Sequence, residues 1–162
     1  MSPDISIRPY ERRDRDACLE ILRTNTPEFF LPSDLGDFAG FLDRGPGPYF
    51  VLEEGGAVVA CGGWFQEDGE TAGLSWGMVV RSRQGKGLGK RLLHFRLAAI
   101  ASATGASRVI LQTIPEVEGF FRGAGFEVTA VEPGAYGGVF DRVRMERALT
   151  RDAGRASDSA ER

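Results

Sequence analysis

Ile5 and Ile7 alternate with Ser6 and Arg8 ahead of Pro9, and this period of two predicts a short strand over 5–9. Between 14 and 25 the apolar residues Ala17, Cys18, Ile21 and Leu22 recur at helical spacing until Asn25-Thr26-Pro27 stops the run. Ser33 then stands as the N-cap of a second short helix carrying Leu35, Phe38, Phe41 and Leu42. Gly45-Pro46-Gly47-Pro48 is a hard break. Beyond it, strands are predicted over 49–52, 57–65 and 71–80, joined by a tight turn at Gly55-Gly56 and a polar turn over 66–70, which makes an antiparallel meander. A long helix follows over 87–103, with Leu88, Leu92, Leu93, Phe95, Leu97, Ala99 and Ile100 as its apolar set and Gly105 as its stop. Val109-Ile110-Leu111 is continuously apolar, as in a buried strand. A short helix over 117–122 ends at Gly123-Ala124-Gly125, and strands over 126–131 and 140–148 complete the pattern.

This order predicts the α/β (α+β) class: one mixed sheet of about six to seven strands with about four helices on its faces. The 162 residues suit a single domain over 1–149, and the aperiodic polar tail over 150–162 reads as disordered. With 42% apolar and 27% charged residues the composition is that of an ordinary globular protein. No apolar run approaches the roughly 20 residues that a membrane span needs, so no membrane partner is expected. The first residues lack the apolar core of a signal peptide, and the expected location is cytoplasmic. There Cys18 and Cys61 read as two buried free thiols.

Positive charge is not spread evenly along the chain. The formal net charge is −3, yet 71–115 carries seven Arg or Lys residues and no Asp or Glu, which leaves −10 for the rest. Five of the eleven residues over 81–91 are cationic, and the chain's two lysines, Lys86 and Lys90, both lie among Gly85, Gly87 and Gly89. A net-acidic chain is not built to coat nucleic acid, but a local basic turn suits a polyanion such as a phosphorylated cofactor. Strand, glycine turn and helix in succession hold phosphate because the first helical amides lack intrahelical acceptors and the helix dipole is positive at that end. A Walker loop is excluded, since no glycine stands five residues before Gly89, where its first glycine belongs, and Arg91 stands where its hydroxyl belongs. The Gly85-x-Gly87-x-Gly89 spacing also fails the dinucleotide fingerprint.

Gln84-Gly85-Lys86-Gly87-Leu88-Gly89 reads Gln/Arg-x-x-Gly-x-Gly, and this resembles the pyrophosphate loop of the GCN5-related N-acetyltransferase (GNAT) superfamily. Trp76-Gly77-Met78-Val79-Val80 resembles that family's fourth strand, and Leu92-Leu93 the paired leucines of the following helix. The stretch Gly119-Phe120-Phe121-Arg122-Gly123-Ala124-Gly125-Phe126 is similar to its second signature. In element order the resemblance covers about 5–148.

The resemblance implies an acyltransferase that moves the acetyl group of acetyl-CoA to a primary amine of a small molecule or peptide by direct attack. It implies central strands splayed to hold CoA, and it allows a homodimer. Gly77, Met78 and Val79 would pair with the pantetheine arm, and a backbone N–H near Met78 or Val79 would polarise the thioester carbonyl. The backbone of Gln84, Gly85, Lys86, Gly87, Leu88, Gly89 and Lys90 would hold the pyrophosphate. Thr113, at the end of the fifth strand, would hydrogen-bond cofactor or water, or serve only as a strand former.

Phe121 stands in the cofactor gap where the family usually has a tyrosine acid, and it has no proton to give. Tyr136 is the substitute candidate. Glu28, Glu116 and Glu118 are candidate general bases, each equally readable as a solvated or capping carboxylate. His94 is expected on the side of its helix away from the acetyl group. Phe29, Phe30, Phe38 and Phe41 either line an acceptor pocket or belong to the core. No spacing of His, Cys, Asp or Glu suggests a metal. Because of Phe121, a CoA or acyl-CoA sensor without turnover is the alternative function. A protein-binding domain with a basic anion patch is the third reading.

Overall fold

The computed structural model describes residues 4–149; the tail expected to be disordered over 150–162 lies outside the described residues. The chain runs through β1 (Ile5–Pro9), a 3-10 turn at Arg12–Asp14, α1 (Arg15–Thr24), α2 (Asp34–Asp43), β2 (Tyr49–Glu54), β3 (Ala57–Gln66) and β4 (Thr71–Val79). A second 3-10 turn at Arg81–Arg83 leads into α3 (Leu88–Ala103), then β5 (Arg108–Thr113), α4 (Pro115–Arg122), β6 (Glu127–Tyr136) and β7 (Phe140–Ala148). The seven strands form one mixed α/β sheet in the order β1-β2-β3-β4-β5-β7-β6.

Most elements follow the hydrophobic pattern to within a residue or two. The clearest departure is β6. The pattern predicts a strand over 126–131 with an irregular segment after it, but the strand continues to Tyr136 through Pro133 and Gly134. It does so by losing register with β7 between Glu132 and Tyr136, and Asp141 accepts a 2.9 Å hydrogen bond from the Gly134 N–H in place of a ladder partner. Proline and glycine are tolerated at such an irregularity on an edge strand, which a pattern of turn residues conceals. The helix expected over 117–122 starts earlier, with Pro115 in its first turn, a position where a missing N–H costs nothing.

Alternation along the strands assigns each face its helices. Cys61 and Met78 point into a core shared with Cys18, Ile21 and Leu22 of α1 and with Phe38 and Leu42 of α2. Their neighbours Ala60 and Val79 face Leu88 and Leu92 of α3. The second half of α3 (Leu93, Leu97, Ile100) packs on Val109, Leu111, Val143 and Met145, with Phe121 of α4 against the same core.

The sheet is interrupted at its centre. All neighbouring strands pair antiparallel except β4 and β5, which run parallel and pair only over Thr71–Gly73 against Arg108–Ile110. Past Gly73 the two strands part, and the sheet opens through its middle. In β4 itself, the step from Met78 to Ser75 spans three residues against two on β3, from Cys61 to Gly63. The extra residue is a bulge at Trp76-Gly77, beside the opening.

Candidate active site

The glycine turn lies where α3 begins. Gly85 (φ 77°) and Gly87 (φ 84°) both take left-handed backbone, and a Cβ added at either would meet no atom within 4 Å. The left-handed geometry requires glycine there, and the empty space above it leaves the backbone open to a ligand. The amides that open the 16-residue α3 have no intrahelical acceptor. Gly89 lies in the first turn, and a Cβ on it would come within 3.5 Å of both Phe120 and Val79.

The turn is fastened from below by the end of α1. The side-chain amide of Gln84 donates to Asn25 Oδ1 at 2.6 Å and to the Val79 carbonyl at 3.1 Å. Buried Asn25 in turn donates to the carbonyls of Ile21 (3.0 Å) and Val79 (2.9 Å). The Arg81 N–H donates to Thr24 Oγ1 at 3.1 Å. Gln84 therefore spends its side chain on anchoring and leaves its backbone to the turn.

The cations divide into two groups. Arg83 is paired with Glu54 at 2.6 Å, and Arg81 is paired with Glu28 while stacking over Phe29. Lys86, Lys90 and Arg91 are exposed and form no ion pair among the described residues. These three supply the uncompensated positive charge at the head of α3.

From the turn, a continuous cleft of about 1240 Å³ runs through the gap between β4 and β5. Gly77, Met78, Val79, Gln84, Gly85, Gly87, Gly89, Lys90, Thr113 and Phe121 all line it, whereas Lys86 stands outside and the side chain of Leu88 is buried in the core. On the far side of the sheet the wall is aromatic, with Phe29, Phe30, Phe41 and Trp76, and Asp34 and Asp37 of α2 border it. Phe38 is fully buried beneath, its ring 5.0 Å from that of Trp76, so it is core and Phe29, Phe30 and Phe41 are wall.

Tyr136 reaches the same cleft from β6. Its hydroxyl donates to Gln112 Oε1 at 3.4 Å, the Arg142 guanidinium lies 5.3 Å from its ring centre, and burial pushes its pKa up. Glu116 lines the cleft. Glu28 and Glu118 do not; each is held in an ion pair, with Arg81 and Arg122 respectively. His94 is exposed on the outer side of α3. Cys18 and Cys61 are buried free thiols against α1, where their mutual contact and burial push the Cys18 pKa well up.

The model of the family described as "Acetyltransferase (GNAT) family" matches residues 15–126. The chain belongs to the GNAT acetyltransferase family. No curated protein matches it, but many solved structures share the fold. Ard1 from Thermoplasma volcanium superposes with a TM-score of 0.78 at 19% identity, covering 91% of this chain and 99% of that one. The ribosomal-protein-S18-alanine N-acetyltransferase from Escherichia coli gives 0.76 at 20%, with 91% and 95% covered. The protein yncA from Salmonella typhimurium, solved with its cofactor acetyl-CoA, gives 0.69 at 22%, with 91% and 95% covered.

One residue of this GNAT-family site has no counterpart in the sequence-based expectations. Arg96 of α3 is 4% exposed and lines the cleft beneath the β4 bulge. A Cβ on Gly77 would lie 2.8 Å from its Nη2, and one on Gly62 would lie 3.1 Å from its Cζ. The two glycines thus make the room that the guanidinium occupies. The signal was present in the sequence: Leu88, Leu92 and Arg96 follow one another four residues apart, placing a cation on the buried stripe. A list of apolar residues passes over it.

No group of three or more His, Cys, Asp or Glu among the described residues is placed to hold a metal ion. No helix among them is long and apolar enough to cross a membrane.

Proposed function

We propose that the protein transfers the acetyl group of acetyl-CoA directly to a primary amine of a small molecule or peptide. The observation that carries this reading is that the parted strands β4 and β5, the Trp76-Gly77 bulge and the open glycine turn all face one cleft. The residues fit the cofactor on their own chemistry. Left-handed Gly85 and Gly87 leave the amides of the turn uncovered for a pyrophosphate, with Lys86, Lys90 and Arg91 adding Coulomb attraction. Trp76 and Gly77 fall outside the paired register of β3 and β4, and a backbone N–H beside them, near Met78 or Val79, would polarise a thioester carbonyl.

The acceptor enters from the opposite face. Its aromatic wall of Phe29, Phe30, Phe41 and Trp76, bordered by Asp34 and Asp37, suits an amine on an apolar body. For attack the amine must lose a proton, and Glu116 and Tyr136 are the ionisable cleft residues on the β5–β6 side that could pass it to water. Glu28 and Glu118, tied in ion pairs outside the cleft, serve as anchors for the turn and for α4.

The test is to mix purified protein with acetyl-CoA and a broad panel of amines and follow release of free thiol. Amine-dependent thiol release supports transfer. Tight CoA binding without it favours the sensor reading, which Phe121 motivates; failure to bind CoA contradicts both.

A further inference from the structure

Arg96 is a buried cation with almost nothing to neutralise it. Its one hydrogen bond among the described residues is a long one, 3.3 Å from Nη1 to the Gly63 carbonyl, and its Nε has no partner. No carboxylate reaches it in any ion pair of the described residues. The titratable groups that face it are Tyr49 and Cys61, and burial pushes the Tyr49 hydroxyl well up. Burial pushes the guanidinium pKa down to about 10, which still leaves it charged near neutrality. Burying an ion without a counter-charge is costly, and among the described residues this unpaired ion sits where Gly62 and Gly77 leave room for it, at the edge of the cleft beside the β4 bulge.

Among the cleft residues, Val79, Leu92, Ile110, Leu111, Phe120 and Phe121 can donate neither a proton nor a charge, and Phe121 stands where a tyrosine acid was expected. Direct acetyl transfer needs both at this point. The amine nitrogen forms its bond to the carbonyl carbon, the carbon–sulfur bond breaks, and the electron pair leaves on sulfur while the amine proton goes to water. A sulfur that departs without a proton is an anion in a site of low dielectric, where an unneutralised thiolate is strongly disfavoured.

We propose that Arg96 stabilises the departing CoA thiolate electrostatically, in place of a proton donor. The inference rests on the acetyl-transfer reading of the cleft. The guanidinium is held at the gap by two glycines and lacks a resident anion, so its field is directed at whatever charge develops beside Gly77.

The test reads the sulfur and not turnover. CoA is bound to the wild-type protein, and its thiol is titrated by the ultraviolet absorbance of the thiolate, beside free CoA and beside complexes of Arg96→Met and Arg96→Lys. The expected result is a bound thiol that ionises at least one pH unit lower in wild type than in Arg96→Met, a tenfold difference in thiolate fraction, with partial recovery in Arg96→Lys and little change in CoA affinity. The substitution to Met removes a buried charge and keeps the volume, so the fold is expected to tolerate it. If wild type binds CoA but its thiol titrates like free CoA, or if Arg96→Met leaves the value unchanged, the proposal is overturned while acetyl transfer stands. If wild type binds no CoA, both are overturned.

Discussion

The hydroxyl of Tyr49 donates a 2.7 Å hydrogen bond to the carbonyl of Trp76. Tyr49 is buried to 2% exposure on β2, two strands from the opening, and Trp76 is the one non-glycine residue with positive φ (40°) among the described residues. Left-handed backbone costs a residue with a side chain about 1–2 kcal/mol, and this hydrogen bond, with the packing of the Trp76 ring on Phe38, offsets it. Tyr49→Phe is expected to lower stability by about 1–3 kcal/mol by leaving a buried carbonyl without its donor. Turnover should fall more than CoA affinity if the bulge acts, as proposed, at the carbonyl and not at the pyrophosphate. Thermal unfolding and steady-state kinetics of the variant check both; equal losses in kcat and affinity would argue against the bulge as the reacting end.

Gln84→Ala removes the clamp between the turn and Asn25 without touching the turn's backbone. CoA affinity should weaken several-fold, by the roughly 0.5–1.5 kcal/mol of a side-chain hydrogen bond that preorganises a ligand site. The melting temperature should scarcely move, since Gln84 is exposed. Calorimetric titration with CoA is the measurement.

For Phe121→Tyr the expected outcome is unchanged CoA affinity and turnover within about threefold of wild type. The Phe121 ring lies edge-on to those of Phe120 and Phe126 at 5.0 and 5.8 Å, and Phe121 lines the cleft. If Arg96 already meets the charge on sulfur, an added acid has little to contribute. A rise toward the roughly 100-fold typical of general acid catalysis would show that protonation limits the natural protein, and would weaken the case for Arg96.

How much of this is legible in the sequence differs by element, for physical reasons. The turn at Gly85 and Gly87 is readable because left-handed backbone demands glycine and a phosphate site demands charge, and both demands are written in residue type. The antiparallel meander and the buried run at Val109 are readable from period. The partition of cations is not: Arg81 and Arg83 look like phosphate ligands in sequence, but their partners Glu28 and Glu54 are distant in the chain. The extension of β6 to Tyr136 is hidden because Pro133 and Gly134 spell a turn while Asp141 and β7 hold them in a strand. Arg96 is hidden for the opposite reason, since one cation on an apolar stripe is ordinarily a side chain that bends out to water.

Asp14 carries a pH-dependent share of stability. It is 4% exposed and accepts hydrogen bonds from both terminal nitrogens of Arg8, at 2.8 and 2.9 Å, and from the Glu11 N–H at 2.8 Å. The Arg8 guanidinium holds its carboxyl below the usual carboxylate range. Its folded pKa lies below its unfolded one, so the stabilisation is complete above the unfolded value near 4 and is lost as pH falls through the folded value. Asp14→Asn should therefore cost about 1–3 kcal/mol at neutral pH, and the gap to wild type should close in acid. Denaturant titrations across that range follow it; a constant gap would show that the charge is not what matters.

The central claim is that the backbone from Gln84 to Lys90 grips the diphosphate of a CoA thioester, and calorimetric titration of CoA into wild type and Gly87→Asp tests it most directly. At φ 84°, with open space above it, position 87 would receive both backbone strain and a negative charge facing the diphosphate. The account predicts that wild type binds CoA and that the folded variant binds it at least tenfold more weakly. Equal affinity in the two proteins would contradict it.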